Sequence, residues 1–177
     1  MQLLQDRRRL FLLLNFVIFL IPVNVYMIGD WLGTGVQWIL FRYQSTYLGD
    51  SIFNVGKDLM YVVNGDLGGK TSVAWTIWFI AAVILVLSLV VNLIGYLKDA
   101  DGGRIAGILV LAGSVLLLSS DLIQYGALFT GPGGFCIPVG IPLLLGYGWL
   151  LVRESGTVSV RDWWSSVRSK SPGTKSE

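Results

Sequence analysis

The 177-residue chain is 54% hydrophobic and 14% charged, with a net charge of +2, whereas soluble domains usually carry about one quarter charged residues. With a mean hydropathy of +0.67, the composition reads as an integral membrane protein. Histidine is absent and cysteine occurs once, at Cys136; this excludes imidazole-ligated haem, most catalytic zinc, every Ser-His or Cys-His nucleophile pair and any intramolecular disulfide.

Four stretches approach the roughly 20 apolar residues that cross a bilayer core as helix: Leu10–Ile28, Val73–Leu97, Ile105–Tyr125 and the shorter Ile137–Val152. The expected fold is an all-α integral membrane protein, a four-transmembrane-helix bundle. Residues 1–152 form the membrane domain, with spans at about 10–28, 73–97, 105–125 and 137–152 and a small mixed outer cap from the 30–72 loop. Residues 153–177 form a cytoplasmic tail. Arg7, Arg8 and Arg9 precede the first span, and PVNVYM after it offers no small-residue cleavage site, so this segment is expected to be a retained helix.

Lys and Arg number three in 1–9, two in 98–104 and five in 153–177, against three in the long 30–72 loop and none in 126–136. By the positive-inside rule both termini are expected in the cytoplasm of a cell whose plasma membrane the chain crosses. The net charge is this inner bias and gives no reason to invoke nucleic acid.

In the first span, Asn15, Pro22 and Gly29 fall in one row seven residues apart. In the long loop, Leu32, Val36, Ile39, Leu40, Tyr43 and Tyr47 recur at helical spacing, which predicts an interfacial helix, with a strand reading of VQWILFRY competing. LMYVVNGDLGG reads as a strand entering an Asn-Gly turn. The overlapping GDLGGKT resembles a phosphate-binding loop but has three residues, not four, between its first Gly and Gly-Lys-Thr. KDADGGR lacks the later oxygen ligands of a calcium loop and reads as a polar turn.

The second span aligns Ala81, Ser88 and Gly95 seven apart, with Asn92 on the same side. In the third, Gly107, Ser114 and Asp121 form one row, Ala106, Gly113 and Ser120 a second, and Gly103 with Gly107 adds a GxxxG spacing. Seven residues return a helix to within about 20°, and small residues stacked in this way admit a neighbouring helix. Asn15, Asn92, Ser88, Gly95, Gly103, Gly107 and Gly113 are therefore candidate packing residues. Asn15 and Asn92, each about 9 Å from the inner face, are expected to hydrogen-bond across helices.

Asp121 lies about 25 Å above that face and Asn24 about 22 Å. An intramembrane carboxylate is a functional suspect by default, so Asp121, Asn24, Ser114 and Gln124 form the candidate ion or polar intramembrane site. Asp121 is expected to tether the bundle to the cap, with Arg42 or Lys70 as possible partners from the loop. The fourth span, with Pro138, Pro142, Gly146 and Gly148, is expected to be broken in its outer half. In the tail, VSVRDWWSSVRS reads as amphipathic and KSPGTKSE as disordered.

The expected function is non-enzymatic: a multi-pass membrane protein acting through assembly with itself, with partner membrane proteins or with lipids. The alternative is a small oligomeric channel or transporter subunit with Asp121 in its path. No catalytic residue, cofactor or metal is expected.

Overall fold

The computed structural model describes residues 2–29, 32–98, 102–131 and 134–155, together with positions 164, 165 and 168. Helix α1 (Gln2–Leu20) stops just short of Pro22, whose ring pushes the residue before it out of helical conformation. The chain then becomes extended as β1 (Asn24–Ile28), followed by β2 (Gly33–Gln37), β3 (Phe41–Thr46) and β4 (Gly49–Asn54). Asn54 ends β4 and caps α2 (Val55–Val63), its side-chain oxygen accepting from the Lys57 amide at 2.8 Å. Two long helices follow, α3 (Gly69–Leu97) and α4 (Gly103–Tyr125). The short strands β5 (Thr130–Gly131) and β6 (Gly134–Ile137) lead into α5 (Ile141–Glu154), which carries Pro142 in its first turn, where a proline is tolerated.

The strands pair antiparallel in the order β4-β3-β2-β1-β6-β5. The central strand, β1, therefore brings Val25 opposite both Val36 and Ile137, which lies more than a hundred residues further along the chain. Tight approach of β2 to its neighbours depends on Gly35: a Cβ there would run into the Tyr26 ring and the Tyr43 carbonyl.

The sheet caps the ends of the helices. Trp38 Nε1 donates to the Leu20 carbonyl at 3.0 Å, Trp78 Nε1 to the Ile39 carbonyl at 3.2 Å, and the Gly140 amide to the Val23 carbonyl at 2.8 Å. Val23 and Ile39 from the cap join Trp78, Leu85, Val110, Leu117, Ile141 and Leu144 in one continuous core. Helix α4 runs between α3 and α5 at distances only glycine permits. A Cβ on Gly113 would meet Leu85 at 2.7 Å, and one on Gly107 would meet the Gly148 carbonyl oxygen at 2.9 Å.

The all-α four-span bundle is overturned by this arrangement. The fold is mixed α/β, with five helices and a six-stranded antiparallel sheet among the described residues, and only α3 and α4 are long and apolar enough to cross a membrane. The cause is local. Residues 24–28, counted into the first span for their hydropathy, are taken by the sheet, which leaves α1 an apolar stretch of only Arg9–Leu20. Likewise Ile137 belongs to β6, and α5 is 14 residues long.

The cap is also larger than the 30–72 loop, since β1, β5 and β6 contribute to it. The expected interfacial helix is the β2–β3 hairpin, and the expected strand at LMYVV is helix α2. The segments read as amphipathic and disordered over 158–177 lie outside the described residues apart from Trp164, Ser165 and Arg168, as do positions 99–101 of the KDADGGR turn.

Along α3 and α4 the usual distribution of polarity is reversed. Ile80, Val83, Leu87, Val90, Ile108, Val115 and Leu122 are exposed, while Ser88, Asn92, Ser114, Ser120 and Asp121 are buried. An exposed apolar surface of this extent marks a membrane or partner contact.

Candidate functional site

The first residue of the central strand faces the last turns of α4. Asn24 is fully buried, and its Nδ2 donates to Asp121 Oδ1 at 3.0 Å. Alternation along β1 places Tyr26 on the same face as Asn24, and register puts Gln37 opposite Asn24 and Cys136 opposite Tyr26. The Cys136 thiol lies beside the Asp121 carboxylate. Burial pushes the thiol well above its ordinary value, and the neighbouring carboxylate adds to the effect.

Between sheet and helices lies a cavity of about 20 Å³ lined by Gln37, Ala74, Trp75, Trp78, Ser120, Asp121, Gln124 and Tyr125. Ser120 is satisfied across the helix pair, donating to the Ala74 carbonyl at 2.8 Å. Three buried oxygens around Asp121 have no hydrogen-bond partner among the described residues: Asn24 Oδ1, Asp121 Oδ2 and Gln124 Oε1.

Arg42 does not reach Asp121. Its guanidinium donates to both oxygens of Asp58, at 2.8 and 3.2 Å, and to Gln44 Oε1 at 3.0 Å. It is held between the rings of Phe53 and Trp75, each centred 4.7 Å away. Burial pushes the Asp58 carboxyl above its ordinary value, and Arg42 opposes that shift. Trp75 stacks on Arg42 and also lines the cavity beside Asp121. Lys70, the other expected partner, is exposed at the start of α3.

Of the four candidate site residues, Asp121 and Gln124 line this cavity and Asn24 is joined to it through its hydrogen bond to Asp121. Ser114 lies two turns below and donates to the Val110 carbonyl of its own helix at 2.7 Å. The packing residues divide similarly. Asn15 is buried, but its Nδ2 meets Ser88 Oγ at 3.4 Å rather than Asn92, and Ser88 donates onward to the Ala106 carbonyl at 3.1 Å. Asn92 Nδ2 has no partner among the described residues. Gly103 and Gly95 are buried in their helices.

Sequence reasoning missed Gln37, Cys136 and the Arg42–Asp58 pair. Gln37 and Cys136 carry no local signal, because only the sheet register places them. Asp58 sat in a segment read as approaching a strand, where its spacing from Arg42 conveys nothing.

Among the described residues no cluster of three or more Cys, Asp or Glu could hold a metal ion. No protein-family model and no curated protein matches the chain. Fold and site alone define the class: a mixed α/β protein in which two long apolar helices carry an antiparallel sheet cap, locked on by a buried Asn–Asp contact.

Proposed function

We propose that this is a non-enzymatic protein of the cell membrane, in which α3 and α4 are embedded as a hairpin and the sheet cap assembles with a second copy or a partner membrane protein. The basic residues Lys98, Arg104 and Arg153 lie at the helix ends away from the cap, and Arg9, midway along α1, is level with them, donating to the Tyr96 hydroxyl near the end of α3 at 3.2 Å. By the positive-inside rule that end, and with it both termini, belongs to the cytoplasm, and the cap faces outward.

The observation that carries the assembly reading is the free edge of the sheet. Among the described residues strand β4 is paired on one side alone; its own Ile52 and the Tyr47 and Leu48 just before it are 72%, 80% and 81% exposed. Long exposed edges with apolar side chains template further pairing unless they are covered. A conducting role has less support: glycine contacts close the helix seams, and the cavity at Asp121 has room for about one water molecule.

Photocrosslinkers placed at Leu48 and Ile52 in membranes test this reading. It predicts a discrete product of defined mass from these positions, lost when Tyr47, Leu48 and Ile52 are changed together to serine while the chain still inserts. Monomer alone from both positions, with crosslinks arising only at lipid-facing sites such as Val90, contradicts it.

A further inference from the structure

We propose that the chamber between β1 and α4 binds one small monovalent cation, of the sodium type, held by Asp121 Oδ2 together with the side-chain oxygens of Asn24 and Gln124. The site does not depend on what the cap recognises.

Charge is the first argument. Asp121 is 3% exposed, and no cationic side chain pairs with it among the described residues: Arg42 is committed to Asp58, and Lys70 points to solvent. Leaving a buried carboxylate without an opposing charge is costly. The donors that do reach it are the Asn24 amide at 3.0 Å and the Cys136 thiol, a weak donor.

The second argument is the inventory of unpartnered atoms. Asn24 has its amide fixed toward Asp121, so its carbonyl oxygen is the free end, and it is unpartnered, as are Asp121 Oδ2 and Gln124 Oε1. Each of the three carboxylate and amide oxygens is an acceptor, so a further acceptor satisfies none of them and a cation satisfies all.

Size and charge then select the ion. Oxygen ligands without a thiolate or imidazole set favour a hard cation. A single carboxylate balances one positive charge, whereas calcium takes about six to eight oxygens, commonly including several carboxylates, and magnesium keeps its waters. The cavity of about 20 Å³ admits one water-sized body. Access exists at the rim, where Trp75, Gln124 and Tyr125 are partly exposed. Because Asn24 belongs to the sheet and Asp121 to α4, the bound ion would clamp the cap to the helices.

The test is thermal unfolding of the full chain in detergent, in sodium, potassium or choline chloride at fixed ionic strength and pH, with sodium-23 NMR relaxation reporting binding directly. The proposal predicts a saturable rise in Tm with sodium, about tenfold weaker with potassium and absent with choline. Asp121→Asn should abolish the response, and Gln124→Leu, a change at the rim that preserves the core, should weaken it about tenfold. Gln124→Leu carries the test if Asp121→Asn does not fold. Identical unfolding in the three salts overturns the proposal, as does an unchanged sodium response in Gln124→Leu. A Tm that follows pH and ignores sodium overturns it in favour of a proton on Asp121.

Discussion

Asn24 and Asp121, 97 residues apart in sequence, meet through one buried hydrogen bond of 3.0 Å that joins the central strand of the cap to α4. Removing the donor leaves the buried Asp121 carboxylate with only the weak Cys136 thiol as donor. Asn24→Ala should therefore destabilise the protein by about 1–3 kcal/mol. In a cycle with Asp121→Ala the two changes should be non-additive, with a coupling of about 0.5–3 kcal/mol, measured by denaturant unfolding in detergent. Strict additivity would mean that the contact does not operate in solution.

The Arg42–Asp58 pair should hold the outer part of the cap alone. Asp58 is 2% exposed and Arg42 is sandwiched between rings. Asp58→Asn leaves the guanidinium without its carboxylate, at a cost of about 3 kcal/mol. Arg42→Lys keeps the charge but loses the fork and the stacking. Hydrogen exchange should accelerate across β3, β4 and α2 in both variants, with α3 and α4 unchanged.

Cys136 should be chemically silent in the folded protein. It is buried beside Asp121, and both effects hold its proton on; reactivity belongs to the thiolate. Maleimide labelling should stay slow across mildly alkaline pH and become fast on unfolding. The linkage has a definite sign: a thiol whose folded value is raised binds its proton more tightly in the folded state. Stability therefore falls as pH climbs past the unfolded value of about 8.5. Cys136→Ala should remove that slope, read as Tm against pH.

The helix seams separate two glycines that look alike in sequence. A side chain at Gly107 would strike Leu151 Cβ at 2.8 Å and the Gly148 carbonyl at 2.9 Å, whereas nothing lies within 4 Å of a Cβ at Gly146. Gly107→Val should cost about 1–3 kcal/mol through forced separation of α4 and α5. Gly146→Ala should be neutral or stabilising by up to about 1 kcal/mol. Thermal unfolding of the two variants checks both.

The parts of the fold visible in the sequence are those whose signal is local. The span readings at 73–97 and 105–125 fall inside α3 and α4, since each is a long apolar run ended by glycine or charge. The rows through Gly107 and Gly113 mark seams because helical periodicity alone fixes which residues share a face. The sheet was hidden for the opposite reason. Its strands are two to six residues long, and β1 finds β6 across most of the chain. Hydropathy read NVYMI as the end of a span, while Pro22 and pairing on both sides make it a strand. Asp121 stood out as a lone carboxylate in an apolar run, and its depth matched that of Asn24. Gln37 and Cys136 needed the register to bring them there.

Ion and proton flux into liposomes holding the purified protein, wild type beside Asp121→Asn, tests the closed interior most directly. The closed reading predicts that neither exceeds protein-free liposomes for sodium, potassium or protons at any external pH. Wild-type flux abolished by Asp121→Asn, with folding intact, would contradict it and place Asp121 in a conducting path.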